Sequence, residues 1–200
     1  NMGIYNRKDY FYKKAKAEGY RSRAAYKLIE LNRRYTLIRK GDFVADLGCA
    51  PGGFLQVAAE IVGEEGIVVG VDLSPVLPLG RNIFIITGDF TEKSVQDKML
   101  SLAKGRQFGV LLSDMAPKTS GIQFRDTYLS FQLAEAAFNS TAKLLRKGGN
   151  ILIKVFESED VRGMVSRMKE IFGMVHLNRP DSTRKGSKEI YIIGKNYLGV

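Results

Sequence analysis

Asp46-Leu47-Gly48-Cys49-Ala50-Pro51-Gly52-Gly53-Phe54 is the stretch on which the reading of this chain turns. A short β-rich run, Phe43–Leu47, leads into it, and a helical pattern, Phe54–Val62, follows at once. Glycines between a strand and a helix let a ligand approach the backbone, and the helix start offers N–H groups with no partner of their own. The spacing is not Gly-x-Gly-x-x-Gly, and Pro51 lacks an N–H where a pyrophosphate cradle would use one. A ligand without phosphates therefore fits better than a dinucleotide, and a nicotinamide dehydrogenase is disfavoured.

Outward from this turn the pattern repeats. Strand-like runs are expected at Ile67–Val71, Ile83–Ile86, Phe108–Ser113, Ile151–Phe156, Met174–Leu177 and Ile190–Ile193. Helical stretches fall near Ser94–Lys104, Tyr128–Leu145 and Glu159–Phe172, and one precedes the first strand at Arg23–Leu37. Gly signals such as Lys147-Gly148-Gly149 mark boundaries. Alternation of this kind argues for an α/β, Rossmann-like fold: a seven-stranded, mostly parallel sheet covered on both faces. Only a loop joins the last two strands, so an antiparallel strand is expected at the carboxyl-terminal end. Two hundred residues suffice for one domain, taken as residues 23–200 behind a basic segment, residues 1–22.

Ligands of open α/β sheets sit beyond the carboxyl ends of the strands. The first strand contributes Asp46, Gly48, Pro51, Gly52, Gly53 and Phe54. The second ends in Gly70-Val71-Asp72-Leu73, where Asp72 can accept hydrogen bonds from both hydroxyls of a ribose. The third ends in Thr87-Gly88-Asp89-Phe90, a carboxylate for an adenine amino group with an aromatic ring beside it. Singly, an Asp after a strand is often only a helix cap. As an ordered set these residues point to an adenosine ligand without a pyrophosphate, namely S-adenosyl-L-methionine. Cys49 reads as a small turn residue, not a nucleophile.

The fourth strand ends in Ser113-Asp114-Met115-Ala116-Pro117, and the fifth carries Lys154 inside Ile151-Leu152-Ile153-Lys154-Val155-Phe156. An ammonium loses its hydration in an apolar strand, so such a lysine is functional, paired, or at a strand end reaching solvent. A lysine can act as a general base if burial or a second cation lowers its pKa from about 10.4 toward 7–8, equivalent to about 3–4 kcal/mol. Lys27 could be that cation, with Asp114 and Glu189 orienting the lysines. Taken singly, Lys27 and Glu189 read as surface residues. No clustering implies a metal.

Charge adds a partner. The net charge is +10, and residues 1–40 hold twelve Lys or Arg against Asp9, Glu18 and Glu30, leaving the remainder nearly neutral. Tyr5, Tyr10, Phe11, Tyr12 and Tyr20 are interleaved with these cations. Phosphates find counter-charge there and unpaired bases a stacking surface, so RNA is the expected partner; a solubilising basic tail is the alternative. With no apolar run near eighteen residues, no charged-then-apolar leader and the lone Cys49, a cytoplasmic protein with no membrane association is expected, acting as a monomer.

Five segments together resemble the FtsJ/RrmJ family of ribosomal RNA 2′-O-methyltransferases over nearly the whole length: Arg21 to Leu28, Asp46 to Phe54, Asp114 to Pro117, Ile153-Lys154 and Ser187 to Tyr191. The resemblance implies a class I methyltransferase fold, with Lys27, Asp114, Lys154 and Glu189 as a catalytic set and Lys154 as proton acceptor. It also implies cofactor contacts from Gly52, Phe54, Asp72, Asp89 and Asp114. Phe54 stands where many bacterial members have Trp, which keeps an aromatic contact. Family members commonly modify a uridine of large-subunit ribosomal RNA, within a large-subunit particle on this reading. Related branches act on tRNA or messenger caps, and a catalytically silent RNA-binding protein of the same fold is a further alternative.

Overall fold

In the computed structural model the described residues are 7–200, with side chains from Tyr10 onward. Tyr5, named above for RNA, and the side chains of two of the basic residues counted there, Arg7 and Lys8, lie outside them.

The order of elements is α1 (Arg7–Ala17), α2 (Ala24–Tyr35), β1 (Phe43–Leu47), α3 (Gly53–Val62), β2 (Ile67–Asp72), β3 (Ile83–Thr87), α4 (Lys93–Leu102), β4 (Phe108–Ser113), α5 (Gln123–Asn139), α6 (Thr141–Leu144), β5 (Leu145–Phe156), α7 (Asp160–Ile171), β6 (Phe172–Asn178) and β7 (Glu189–Tyr197). The seven strands form one sheet in the order β3-β2-β1-β4-β5-β7-β6. β1 to β5 pair in parallel, while β7 enters antiparallel between β5 and β6, as the short final connection requires. No helix among the described residues is long and apolar enough to cross a membrane.

Strand alternation divides the core in two. Leu47, Val69, Leu111, Ile151, Ile153 and Ile192 belong to the face covered by α5 and α7. Val44, Val68, Val110, Leu112, Leu152, Tyr191 and Ile193 belong to the other, packed with α2 and α3 through Leu28, Leu31, Leu55 and Ala58. Continuing that second parity to the strand ends selects Asp46, Asp72, Asp114, Lys154 and Glu189. All five chemically notable residues thus share one face of the sheet, under α2.

Three elements depart from the sequence expectation. α1 is a helix that the run of lysines concealed. It docks by burying Ala15 and setting Phe11 5.6 Å from the Tyr26 ring, with Lys14 Nζ 4.8 Å over that ring. β5 begins at Leu145 and runs through the Gly148-Gly149 pair that read as a loop. Between Phe108↔Leu145 and Val110↔Asn150 the register shifts, so the glycines form a bulge. α5 starts at Gln123, five residues earlier than its apolar periodicity, because Asp126 Oδ1 accepts from the N–H and hydroxyl of Ser120 and Oδ2 from the N–H of Gly121.

Candidate active site

The turn after β1 is glycine-rich for steric reasons. At Gly48, φ is +76° and a Cβ would collide with the Met115 side chain; at Gly52, φ is +120°. Neither position tolerates a side chain without displacing a neighbour. Beyond the turn lies a pocket of about 120 Å³, walled by Asp46, Gly48, Cys49, Ala50, Pro51, Gly53, Phe54 and Asp114, with Ser22 just before α2 and Ala24 at its start.

Both oxygens of Asp46 are buried without a hydrogen-bond partner, as is Ser113 Oγ. Burial pushes the Asp46 carboxyl well above its usual range, and the nearby Asp114 and Asp72 add to the effect. A buried polar group left unpaired costs about 1–3 kcal/mol, more when charged. The pocket wall holds two carboxylates and no lysine or arginine. Such an acceptor set suits a cationic ligand that brings hydrogen-bond donors, and it disfavours phosphates. Cys49 is equally unsuited to nucleophilic work: burial first, then Asp46 and Asp72, push its thiol pKa far up.

The other expected cofactor residues lie at and just beyond the ends of β2 and β3. Asp72 braces the glycine-rich turn, Oδ2 accepting from the N–H of Ala50 at 2.9 Å and Oδ1 from the N–H of Ser74 at 2.8 Å. A carboxylate has about four lone-pair sites, so two remain for a ligand. Leu73 beside it is 74 % exposed. Asp89 Oδ1 accepts from both the N–H and the hydroxyl of Thr91. Phe90 departs from expectation: it is buried in the hydrophobic cluster of the α5 and α7 face, not presented beside Asp89 as a ligand platform.

Lys27, Asp114, Lys154 and Glu189 come together next to the pocket. Glu189 lies between the lysines, with Oε2 2.8 Å from Lys27 Nζ and Oε1 3.6 Å from Lys154 Nζ. Asp114 Oδ1 is 3.5 Å from Lys154 Nζ on the other side. Lys27 is 8 % exposed and Lys154 5 %. Burial alone would raise the Glu189 carboxyl, but the two ammonium groups outweigh it and hold it below its usual range. The two lysines are not bare neighbours: a carboxylate bridges them, and the four groups carry two charges of each sign. Pairing is what makes such burial tolerable. Both Lys154 contacts are longer than the 2.7–2.9 Å of a full charge-assisted hydrogen bond, so its ammonium is positioned without being tightly bound.

Two residues escaped sequence reasoning. Tyr191 pairs across the ladder with Lys154, and its hydroxyl donates to Asp114 Oδ1 at 2.5 Å. A tyrosine inside Ile190-Tyr191-Ile192-Ile193 reads as an ordinary β aromatic, so no signal distinguished it. Arg21 donates through Nη1 to the carbonyl of Leu77 at 2.6 Å and through Nη2 to that of Pro78 at 3.0 Å, while its own N–H bonds Gln56 Oε1. It straps the amino-terminal segment to the loop after β2.

Comparison with known proteins agrees with this geometry. The FtsJ-like methyltransferase family model matches residues 20–197. A ribosomal RNA large subunit methyltransferase E of Methanothermobacter thermautotrophicus is 43 % identical over 194 residues, covering 96 % of this chain and 92 % of that protein. Its namesake from Methanothrix thermoacetophila is 46 % identical, covering 96 % and 74 %. Among solved structures, a ribosomal RNA methyltransferase of Plasmodium falciparum superposes with a TM-score of 0.81 at 29 % identity, over 90 % of this chain and 100 % of that one. Fibrillarin of Aeropyrum pernix, at 19 % identity and a TM-score of 0.61 over 88 % and 75 %, shares the fold. The chain belongs to the FtsJ-like methyltransferase family.

Proposed function

We propose that this enzyme transfers a methyl group from S-adenosyl-L-methionine to a ribose 2′-hydroxyl of large-subunit ribosomal RNA, a uridine being the expected nucleoside. The observation that carries the reading is the buried, charge-balanced set of two lysines and two carboxylates beside an acid-walled pocket. The cofactor supplies an electrophilic methyl group on a sulfonium, so the protein must align the acceptor oxygen and remove its proton.

On this reading Asp46 and Asp114 receive the positively charged part of the cofactor, with Gly48, Pro51, Gly52, Gly53 and Phe54 shaping its seat. Asp72 takes the cofactor ribose with Leu73 alongside, and Asp89 the adenine amino group. Lys154 is the proton acceptor. Asp114 and Glu189 hold its Nζ from two sides, and Lys27 keeps Glu189 ionised and in place. The basic amino-terminal segment docks RNA: Tyr10, Phe11, Tyr26 and Arg33 wall a groove of about 430 Å³ along α1 and α2, which Glu30, Asp181 and Ser182 also line. The enzyme acts as a monomer, in the cytoplasm, on RNA within a large-subunit particle.

Mapping 2′-O-methylation across ribosomal and transfer RNA, in cells with and without the protein, tests this directly. One large-subunit site should lose its methyl group, and purified enzyme should restore it on subunits more readily than on free RNA. Loss confined to tRNA would move the substrate to the tRNA branch. An unchanged map would overturn the reading.

A further inference from the structure

A second recess adjoins the tetrad. Its volume is about 210 Å³, and its walls include Gln123 and Asp126 from the start of α5, Phe156 at the end of β5, and Lys188 and Glu189 at the start of β7. Two of its charged groups are already committed, Asp126 to Ser120 and Gly121, and Glu189 to the two lysines. Among the described residues the amide of Gln123 and the ammonium of Lys188 make no such bond. Phe156 supplies a half-buried ring, and the neighbouring Phe124 projects 83 % exposed.

We propose that this recess binds the base of the nucleotide being methylated, with Gln123 pairing to the base edge and Phe124 stacking on the adjoining base. This rests on the RNA 2′-O-methylation reading and extends it to the acceptor. Three observations favour a base over other occupants. The space, about 210 Å³, is enough for one ring system. An amide offers a donor beside an acceptor, the pattern that base edges present, and exposed aromatic rings stack on unpaired bases. Glu189 belongs both to this wall and to the tetrad. In a nucleoside the 2′ carbon is bonded to the carbon that carries the base, so a base seated here keeps the 2′ oxygen close to Lys154.

The test has two arms. Uridine 5′-monophosphate and ribose 5-phosphate are titrated into ¹⁵N-labelled protein. The Gln123 side-chain amide resonances should move with the nucleotide and stay with the sugar phosphate; equal movement, or none with either, would overturn the base site. In the second arm Gln123→Ala and Phe124→Ala, both at exposed positions where folding is not at stake, are assayed on the RNA that the methylation map identifies. Each should raise the KM for RNA by on the order of tenfold, as expected for losing one stacked or paired base, with cofactor affinity unchanged. Gln123→Ala should also narrow the preference for the natural base over a substituted one at the target position. If the parent does not methylate ribosomal RNA but the nucleotide-specific shift stands, the ribosomal reading fails and the base site survives. If methylation is robust and both variants keep the parent KM and base preference, the base site falls and the ribosomal reading survives.

Discussion

The hydroxyl of Tyr191 donates to Asp114 Oδ1 at 2.5 Å, and that same oxygen stands 3.5 Å from Lys154 Nζ. Burial, then the charge of Asp114, keeps the phenol protonated far above its usual range, so the donor persists at every working pH. Tyr191→Phe keeps the ring and removes the hydrogen bond. Hydrogen bonds to charged groups contribute about 1.5–3 kcal/mol, so the variant should lose up to that in stability. Its methyl-transfer rate should fall because Asp114 is freer to move. Thermal unfolding and single-turnover methylation measured together check it; parent values in both would show that Asp114 is held by Lys154 alone.

Lys154→Ala should abolish methyl transfer with cofactor affinity nearly intact, whereas Asp114→Ala should damage both because Asp114 also lines the pocket. Lys154→Arg keeps the charge but cannot give up its proton at working pH. It should remain slower than the parent by about 10²–10⁴-fold, the usual contribution of a general base. Near-parent single-turnover rates for Lys154→Arg would mean that this lysine provides charge and position only.

Asp72→Ala should weaken S-adenosylmethionine binding by about 1.5–3 kcal/mol, the range for hydrogen bonds to a charged group. Part of that loss passes through the Ala50 N–H, which the carboxylate also holds. Calorimetry is the measurement, and an unchanged Kd would remove Asp72 from the cofactor site.

Asp46 yields a pH prediction. Its folded carboxyl is raised above the unfolded value of about 3.9, so the protonated form favours the folded state. The stability this gives is fully present below about pH 3.9 and is lost as pH rises through the folded pKa. Asp46→Asn, lacking the ionisation, should be more stable than the ligand-free parent at pH 8 by about 1–3 kcal/mol and should lose that advantage toward pH 4. The same variant should bind cofactor poorly. Unfolding curves that differ by the same amount at both pH values would refute the account.

Neutralising Arg7, Lys8, Lys13 and Lys14 together should weaken RNA binding and flatten the slope of log affinity against log salt, by roughly 0.7–0.9 for each phosphate that no longer has a cationic partner. Binding and slope both unchanged would leave this segment a solubilising extension.

The central strands were legible because their apolar runs are sharply bounded: β1 and β4 fall at Phe43–Leu47 and Phe108–Ser113, as the sequence predicts. α1 was not, since Lys13, Lys14 and Lys16 break its apolar periodicity and its support comes from packing against Tyr26 in α2. The candidate site divides the same way. Asp46, Asp72 and Asp114 announce themselves by standing at or next to strand ends, and Lys154 by interrupting a strand. Lys27 and Glu189 are 162 positions apart, and only tertiary contact turns two ordinary polar residues into a buried ion pair. The resemblance of five segments named them together; periodicity could not. Phe90 misled because adjacency to Asp89 in sequence says nothing about which side of the sheet a loop residue packs against.

The assignment of all this chemistry to one side of the sheet restricts how the protein can change. Substitution at Lys154 or Tyr191 alters one group, but deleting a single residue between Asn150 and Lys154 would turn every later side chain of β5 over, exchanging Lys154 for Val155 at the ladder position opposite Tyr191. A change of length is better placed in a loop or in the Gly148-Gly149 bulge, where an inserted or deleted residue can be absorbed before the strand reaches its reactive end.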